Sequence, residues 1–440
     1  MLVMKFGGAV LRSKEGFLKM VEILRNYREE ELLLIISAFA TATSDLDRAA
    51  KAAEKGDAEK AYALAENVIK SYGEFSQNIL KDAATREALE LFLKESFRHL
   101  KDYLRGVSIT QELTPRTLDL IVSFGEYCSV HIARHFLKEQ GFDVEFVDAT
   151  NVIVTNDQHG AALPKITQTA ERVEAVLRPA MKRGTITLTQ GFVAKSESGE
   201  ITTMGRESSN LTATLLAELL KAERVIIWSD VEGVRTADPK IIENSGCISN
   251  LDYAEAQQAA ISGLKLLHPT MIEPVRRGNI PLEFRSAFKN NSDYTCISEK
   301  NVEHKAFIAI QEQAWIVRVK FSSELKLDDR EQMVDRLFSN PQTILLIQYL
   351  PDSLVVVSRR KPVMSRLPKI PGAVLFTDYS VVSILNLPEE RMIDVLPQVL
   401  KEYDGKITIL GIGYETNVSR FAIPHDEVER FVKVLHNSVM

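Results

Sequence analysis

The chain has 440 residues, of which 45% are hydrophobic and 26% charged, a composition that predicts a soluble globular protein with two or three domains. Lys and Arg number 54 against 60 Asp and Glu, and the formal net charge of −6 argues against a nucleic-acid-binding protein. No segment approaches the roughly 18 consecutive apolar residues that a membrane-spanning helix needs. The start of the chain lacks the charged region and cleavage site of a secretory signal, and the three cysteines show no CxxC pairing. We therefore expect a cytoplasmic protein that uses neither a disulfide framework nor a protein-bound metal, and that binds neither membranes nor nucleic acids.

The first 36 residues predict a strand, a helix and a second strand. Leu2–Phe6 is a short apolar segment followed at once by Gly7 and Gly8, and Ser13 can cap a helix whose apolar residues recur at helical spacing. The apolar run Leu32–Ile36 is too short for a helix face and suits a buried parallel strand. This order indicates the beginning of a doubly wound α/β sheet.

The middle of the chain continues this alternation after a helical insert. From about residue 45 to 105 the sequence is rich in Ala, Glu, Lys and Leu, which predicts extended helices. Strand-like segments follow at 144–147, 185–189 and 225–228, with a helical pattern at 211–221. We therefore predict one large α/β domain over residues 1–300, which ends after the polar turn at 289–293.

The C-terminal part, residues 305–440, has a different order of predicted elements, with short strands around single helices. Segments of strand type at 316–320, 344–349 and 354–358 surround one helical pattern at 329–338. A second set has strands at 381–387, 406–410 and 419–423, with helices at 389–403 and 426–436. This repetition predicts two small units of βαββ type after the large domain.

Residues that could carry chemistry follow several of the predicted strands. Lys5 precedes the Gly7-Gly8 turn, where glycines allow close backbone approach to an anion, a helix start adds a positive dipole end and lysine can neutralise a phosphoryl group. The turn is not a Walker A loop, because GxxxxGK[ST] is absent. Further polar or glycine-containing segments lie at 37–45, 123–127, 202–210, 228–240 and 263–269.

In chain order, the segments KFGG, SAxxxxT, SFGE, TTxGR, WSDVEGVRTADP and GLKLLHP resemble the motifs of the aspartate kinases, a group within the amino acid kinase family. The motifs match across residues 3–290, and the doubled C-terminal unit resembles tandem ACT regulatory domains. The resemblance implies an α/β fold: an amino-acid-kinase fold, which is a three-layer α/β/α sandwich, followed by tandem ACT domains of the ferredoxin-like βαββαβ type. It also implies transfer of the ATP γ-phosphate to the β-carboxylate of L-aspartate, which is the first step of lysine, threonine and methionine biosynthesis. Mg²⁺ would be held by the nucleotide phosphates, and two chains would form a homodimer through their ACT domains.

The resemblance also assigns a role to each matched residue. The residues implied in catalysis are Lys5, Arg206 and Asn210. The residues implied in substrate binding are Ser37, Ala38, Thr43, Glu126, Arg206 and Ser209, with Glu126 and Arg206 on the substrate's ammonium and carboxylate. The residues implied in nucleotide binding are Lys5, Gly7, Gly8, Ser229, Asp230, Arg235, Lys240 and Lys265. Because the side-chain carboxyl group of aspartate ordinarily has a pKa of about 4, it is already an ionised nucleophile near neutral pH and needs no general base.

The sequence departs from the family pattern in the loops that would meet the phosphates. Ala9 and Val10 stand where the family has two hydroxyl residues. Where the family reads GRGGSD, Glu207 and Ser208 replace two glycines, and Asn210 replaces the acid and loses its charge. Two alternatives therefore stay open beside an active aspartate kinase. One is a catalytically weakened paralogue that binds nucleotide or amino acid as a regulatory partner; the other is a kinase of the same fold that acts on another small amino acid.

Overall fold

The computed structural model of the chain describes residues 1–39, 41–205, 207–289, 293–299, 304–321, 327–338, 343–412 and 417–440. The chain forms two compact units, Met1–Gly233 with Thr270–Glu299, and Val234–Pro269 with Lys300–Met440. Arg206 and residue 300, where the predicted large domain ends, lie outside the described residues. Within the described ranges, none of the helices combines the length and the apolar character that crossing a membrane requires.

The elements of residues 1–229 are strands and helices, with four consecutive helices between the second and third strands. In chain order they are β1 (Leu2–Phe6), α1 (Gly8–Leu11), α2 (Lys14–Arg25), β2 (Leu32–Ile36), α3 (Ala42–Glu54), α4 (Ala58–Ile79), α5 (Ala83–Thr110), α6 (Pro115–Glu139), β3 (Asp143–Phe146), β4 (Val154–Thr155), α7 (Ile166–Arg172), β5 (Thr185–Gln190), β6 (Val193–Ser196), β7 (Ile201–Thr203), α8 (Ser208–Leu220) and β8 (Arg224–Ser229). The predicted strands at the start of the chain and the helix capped by Ser13 are present.

The elements of residues 230–440 are mostly strands, with five helices among the residues described. They are β9 (Asn250–Leu251), α9 (Tyr253–Ile261), α10 (Pro269–Gly278), β10 (Leu282–Ser286), β11 (Thr295–Ile297), β12 (Phe307–Lys320), α11 (Leu327–Leu337), β13 (Ile344–Tyr349), β14 (Ser353–Ser358), β15 (Ala373–Leu385), α12 (Glu389–Glu402), β16 (Thr408–Gly411), β17 (Val418–Pro424) and α13 (Val428–Val439).

The first unit is built on a mainly parallel sheet with the strand order β3-β5-β2-β1-β8-β10-β11. Strands β3 to β10 in this order run parallel, and β11 is antiparallel to β10. Every residue of β2 is buried, which requires cover on both faces of the sheet and explains its continuous apolar sequence. Lys5 lies near the carboxyl end of β1, a central strand, where ligands of open parallel sheets normally bind.

The stretch predicted as a helical insert forms α3, α4 and α5, which lead into α6. Asp57, Asp82 and Thr114 cap α4, α5 and α6 through side-chain oxygens that accept backbone N–H bonds. These helices pack their apolar faces into the core of the first unit, with Tyr72 and Leu100 fully buried. The insert therefore supports α6, the helix that carries Glu126.

The second unit contains a six-stranded antiparallel sheet with the order β13-β14-β12-β15-β17-β16. One hydrophobic core lies between this sheet and α11, and another lies between the sheet and α12 and α13. The strands β12 and β15 cross both parts, because Ile308 of β12 belongs to the core of α12 and α13 while Val317 belongs to the core of α11. The two βαββ units therefore share one continuous sheet.

The two long strands of this sheet begin earlier than the sequence indicates. The predicted strands begin at residues 316 and 381, whereas β12 begins at Phe307 and β15 at Ala373. The polar residues Gln311–Gln313 interrupt the apolar pattern of β12, so the sequence does not predict one continuous strand. The pairing with β15 shifts register there, and Glu312 and Gln313 are exposed. The predicted starts of these two strands were therefore too late in the chain.

Candidate active site

Lys5 and the two glycines after it form the turn from β1 into α1. The N–H of Gly7 donates to the carbonyl oxygen of Trp228 over 3.0 Å, which ties the turn to the end of β8. A Cβ atom on Gly7 would lie 3.5 Å from the Lys5 ammonium, so the lysine side chain folds over this turn. Helix α1 begins at Gly8, and its first backbone N–H groups have no intrahelical acceptor. The turn thus combines one cation with helix-terminal donors, which suits an anionic ligand.

Glu126 reaches the same edge of the sheet from α6. Its side chain is only 3% exposed, and its Oε1 accepts the N–H of Ala38 over 3.4 Å just beyond the end of β2. The other oxygen, Oε2, is buried and has no hydrogen-bond partner among the described residues. A buried carboxylate oxygen without a donor is costly unless a ligand supplies one. The geometry therefore suits a ligand with a positively charged donor.

The helical insert fixes the position of this glutamate. The hydroxyl of Tyr72 on α4 donates to the carbonyl oxygen of Gly125 over 2.9 Å and accepts the N–H of Phe39 over 3.2 Å. A Cβ atom on Gly125 would lie 3.2 Å from the Cβ of Ala38, so α6 approaches the end of β2 closely. Tyr72 thus links Gly125 and Phe39, which are the chain neighbours of the hydrogen-bonded residues Glu126 and Ala38.

Burial changes the charge state of both central groups. Burial raises the pKa of Glu126 to about 8, while the N–H of Ala38 and the charge of Lys5 act in the opposite direction. Burial likewise lowers the pKa of Lys5 to about 8, against the carboxylates of Glu207 and Glu126, which raise it. Near neutral pH the glutamate is therefore mostly neutral and the lysine mostly charged, and a bound cation or anion would change these populations.

Several further polar atoms near these strand ends are buried without a partner among the described residues. They are Ser37 Oγ, Thr189 Oγ1, Ser208 Oγ and Asn210 Oδ1. The positions are adjacent because Thr189 of β5 is in register with Ile35 of β2, and the N–H of Gly191 donates to the carbonyl oxygen of Ile36. Unpaired buried polar atoms are rare in folded proteins, and their concentration here marks the place where a polar ligand fits.

The start of α8 comes close to the end of β5. A Cβ atom on Gly191 would lie 2.5 Å from the Cβ of Ser209, so only glycine permits this approach. Glu207 precedes α8 with a φ of 64°, a left-handed conformation that costs free energy in a non-glycine residue. The carboxylate of Glu207 is exposed and raises the pKa of Lys5, so it lies within electrostatic reach of the lysine.

The structure brings most predicted substrate residues of the first unit together. Ser37 and Ala38 follow β2, Ser209 and Asn210 lie in the first turn of α8, and Glu126, in the middle of α6, accepts the N–H of Ala38. Thr43 is in the first turn of α3, five residues after Ala38. The predicted role of Arg206 falls outside the described residues and stays a prediction.

The predicted nucleotide residues fall in both compact units. Ser229 ends β8, where its side chain accepts the N–H of Val231 over 3.1 Å, and Asp230 is exposed beside it. These two belong to the first unit, on the strand next to β1.

Arg235, Lys240 and Lys265 belong to the second unit. The guanidinium of Arg235 donates to the side-chain oxygen of Ser245 over 3.1 Å and to its carbonyl oxygen, whereas Lys240 is exposed. The Lys265 ammonium lies 2.5 Å from the carboxylate of Glu312 on β12, and both side chains are more than half exposed. Exposed ion pairs of this kind contribute little stability, so the pairing leaves Lys265 available for a phosphate.

Sequence reasoning missed three residues of this site. Thr189 lies near the end of β5, Gly191 follows that strand, and Tyr72 lies within the helical insert. A signal existed for the first two, because polar and glycine residues at the carboxyl end of a buried parallel strand occupy the ligand edge of the sheet. No comparable signal exists for Tyr72, since a tyrosine at helical spacing is typical of a core position.

Comparison with known proteins identifies the class of protein. The model of the amino acid kinase family matches residues 1–286, well over half of the chain. The chain therefore belongs to the amino acid kinase family, and the fold and the site at the carboxyl ends of β1 and β2 agree with that membership.

The individual relatives are aspartokinases. The chain is 30% identical over 314 residues to the chloroplastic aspartokinase 3 of Arabidopsis thaliana, which covers 70% of this chain and 54% of the plant protein. It is also 30% identical over 312 residues to the lysine-sensitive aspartokinase 3 of Escherichia coli strain K12, covering 70% of this chain and 66% of the relative. The chain spans about half the length of the plant aspartokinases that it matches. The predicted resemblance to aspartate kinases is confirmed.

A solved structure agrees with the whole fold. The crystal structure of E. coli aspartokinase III in complex with aspartate and ADP aligns with 100% of this chain and 99% of that chain, at 24% identity and a TM-score of 0.86. The predicted fold class, an amino-acid-kinase fold followed by tandem ACT domains, is confirmed.

Proposed function

We propose that this protein is an aspartate kinase, which transfers the γ-phosphate of ATP to the β-carboxylate of L-aspartate. The observation that carries the proposal is the buried carboxylate of Glu126, with one oxygen unpaired among the described residues, at the same sheet edge as Lys5. Similarity to aspartokinases over 70% of the chain supports it independently. Catalytic residues would lie within residues 1–300, and residues 305–440 would form the ACT regulatory part.

The site residues would divide the substrate between them. The α-ammonium of aspartate would donate a hydrogen bond to Glu126 Oε2 and so supply the partner that this oxygen lacks. The unpaired oxygens of Ser37 and Asn210 would accept further ammonium hydrogens or bridging water, and Arg206 is proposed to hold the α-carboxylate. Binding through the amino-acid end would leave the β-carboxylate free to point towards Lys5.

The chemical step requires positioning and charge neutralisation. A β-carboxylate oxygen attacks the γ-phosphorus, the bond between that phosphorus and the β–γ bridging oxygen breaks, and ADP leaves with the electron pair. No proton is transferred, because the nucleophile is already ionised near neutral pH. Lys5 would stabilise the charge on the transferred phosphoryl group, which is the main contribution a protein makes to such a reaction.

Mg²⁺ would enter with the nucleotide, bound by phosphate oxygens and water, and would neutralise phosphate charge. The residues present fit this arrangement. Among the described residues, the one group of three side chains that could hold a metal ion is Asp252, Glu255 and His304, and it lies in the second unit. There Asp252 and Glu255 form the capping box of α9, so this group already has a structural role.

Within the first unit, nucleotide binding would use Ser229 and Asp230, at the end of the strand next to β1. A homodimer is proposed through the ACT sheet, whose strand order ends in the edge strands β13 and β16. Light scattering at micromolar concentration tests this assembly, and a monomeric mass would count against it. A cytoplasmic location agrees with the three cysteines, which form no disulfide with one another.

The decisive experiment is a coupled ADP-release assay with Mg-ATP and L-aspartate. Lys5→Ala is the blank, and Lys60→Ala, an exposed lysine on α4, is the matched control for loss of one positive charge. We expect aspartate-dependent turnover in the starting protein and in Lys60→Ala, and none in Lys5→Ala.

The outcome separates the alternatives that the altered loop leaves open. ATP binding by calorimetry without turnover of any amino acid would select the regulatory paralogue. Turnover with another small amino acid but not with aspartate would select the kinase of different specificity. Higher turnover after Asn210→Asp would show that the loss of the family acid weakens the reaction.

A further inference from the structure

We propose that Asp119 is a positioning residue that fixes the turn between β7 and α8 relative to Glu126, and thereby sets the affinity for the amino-acid substrate. Neither the sequence motifs nor the chemistry of phosphoryl transfer points to this residue. The kinetic part of the inference rests on the proposed function, whereas the structural part does not.

Asp119 lies on α6, two turns before Glu126, and is 1% exposed. Residues seven apart share one face of a helix, about 10 Å apart along its axis. The same helix therefore presents one buried carboxyl group with an unpaired oxygen and another whose oxygens are fully used. Only the first is available to a ligand.

Both oxygens of Asp119 accept hydrogen bonds from elements distant in the chain. The His159 ring nitrogen Nδ1 lies 2.9 Å from Oδ2, and the N–H of Gly160 lies 3.1 Å and 3.0 Å from the two oxygens. The hydroxyl of Thr203, at the end of β7, donates to Oδ1. The carboxylate thus joins α6 to a loop and to a strand end at one buried point.

The loop that Asp119 holds is residues 156–163, and its two ends are tied together. The N–H of Asn156 donates to the carbonyl oxygen of Leu163 over 3.0 Å, and the N–H of Leu163 donates to Asn156 Oδ1 over 2.9 Å. The N–H of Ala162 in this loop donates to the carbonyl oxygen of Thr203 over 3.0 Å. The two ends of the 156–163 loop are therefore hydrogen-bonded to each other, and the loop as a whole contacts α6 and β7.

The chain after β7 approaches this loop at Gly205. Gly205 has a φ of 92°, and a Cβ atom on it would lie 3.7 Å from the carbonyl oxygen of Gly160. Two residues later, Glu207 begins the approach to α8, and Ser209 and Asn210 occupy its first turn. A shift of the 156–163 loop or of Thr203 would therefore move the start of α8 and the polar atoms it brings to the site.

A purely stabilising role for Asp119 predicts a different behaviour. A buried carboxylate with three donors contributes to global stability, and its loss would then lower activity through unfolding alone. A positioning role predicts a selective change: local opening of the turn and weaker substrate binding, with nucleotide binding kept. The test must separate these two effects.

The first arm measures amide hydrogen exchange in the full chain without ligand, by mass spectrometry. Asp119→Asn keeps the size of the side chain but replaces one carboxylate oxygen, an acceptor, with an NH2 group that cannot accept the hydrogen bonds of its neighbours. Asp157→Asn is the matched control. Asp157 is an exposed acid of the same loop whose Oδ1 accepts the Ser198 hydroxyl over 2.6 Å, and among the described residues its side chain makes no hydrogen bond to α6. We expect exchange in segment 203–210 to become about tenfold faster in Asp119→Asn and to stay unchanged in the control, since hydrogen bonds to charged groups are the stronger ones.

The second arm measures steady-state kinetics. We expect Asp119→Asn to raise KM for aspartate about tenfold, with KM for ATP within about twofold of the starting value. Thr203→Val removes one donor and keeps the carboxylate, so it should raise KM for aspartate in the same direction. The two changes should be non-additive, because they break the same contact.

Unchanged exchange in segment 203–210 together with unchanged KM for aspartate in Asp119→Asn would overturn the proposal. Equal rises of both KM values with a lower melting temperature would reduce Asp119 to a stabilising residue. If Asp119→Asn does not fold, Thr203→Val and His159→Leu decide the question by the same measurements. If the starting protein does not turn over aspartate, the proposed function fails, and the exchange arm still tests the positioning role.

Discussion

Binding of aspartate should release a proton from Glu126. Burial holds the pKa of this carboxyl group at about 8, so at pH 7 about nine tenths of the ligand-free protein carries the proton there. An ammonium group placed beside the carboxylate lowers such a pKa by about 1–3 units. The carboxyl group of the bound state is therefore between half and almost fully ionised at pH 7. We expect release of roughly 0.4–0.9 proton per aspartate, the upper figure for the larger shift.

The same linkage gives a pH dependence of affinity. Ionising Glu126 at pH 7 costs about 1.4 kcal/mol for each unit between the pH and its pKa, or about tenfold in affinity. Raising the pH from 7 to 8 should therefore strengthen aspartate binding about fivefold at most, as the free carboxyl group loses its proton. Lys5, whose pKa burial lowers to about 8, loses part of its charge between pH 7 and pH 8, so the proton release is measured at pH 7, where Lys5 is mostly charged.

Isothermal titration calorimetry in buffers of different ionisation enthalpy measures the released proton directly. Glu126→Gln should abolish the buffer dependence and weaken binding. Glu283→Gln is the matched control, because Glu283 is a buried acid of the same unit that is paired with Arg285 at 2.7 Å. Heats of aspartate binding that are independent of the buffer in the starting protein would refute the reasoning. They would mean that Glu126 is ionised before binding or does not meet the ammonium.

Three further changes test the surroundings of the site. Glu207→Gln removes the carboxylate that most raises the pKa of Lys5, so the alkaline limb of the kcat/KM profile should move to lower pH; an unmoved limb would exclude this coupling. Gly191→Ala should force Ser209 aside, cost about 1–3 kcal/mol in a urea titration and raise KM for aspartate, and wild-type values for both would contradict the close approach. Tyr72→Phe leaves a buried carbonyl oxygen and N–H without their hydroxyl, so unfolding should require about 1–3 kcal/mol less, and equal denaturation midpoints would speak against these bonds.

The sequence predicts the sheet edge that forms the site because two local signals agree there. A short apolar strand followed by glycines places Lys5, and a second apolar strand followed by small polar residues places Ser37. Parallel pairing of β1 with β2 then brings the two ends together. Glu126 is harder to place from spacing alone, because a glutamate inside a long helix normally faces solvent. Its assignment depended on the family resemblance.

The residues that escape prediction act through distant contacts. Tyr72 and Asp119 are polar groups on helices, and nothing local indicates that the partners of Asp119 come from segments about 40 and 84 residues away in the chain. Asp119 and Glu126 do share the seven-residue spacing that places both on one face of α6. Two acids seven residues apart on the apolar face of a predicted helix are therefore the sequence signal for this arrangement.

Compared with the family pattern, the start of α8 loses an acid at Asn210 but gains one at Glu207, so its negative charge changes position and is kept. The family pattern places an acid where this chain has Asn210, and this chain has Glu207 one helical turn earlier. Glu207 helps Lys5 to keep its proton, while burial favours the neutral form of Glu126. Among the described groups of the ligand-free site, Lys5 is thus mostly charged and Glu126 mostly neutral near neutral pH, with the Glu207 carboxylate within electrostatic reach of Lys5. Because Glu207 is exposed and Asn210 is partly buried, the relocated carboxylate is easier to solvate than an acid at position 210 would be, which lowers the cost of keeping the site charged without substrate.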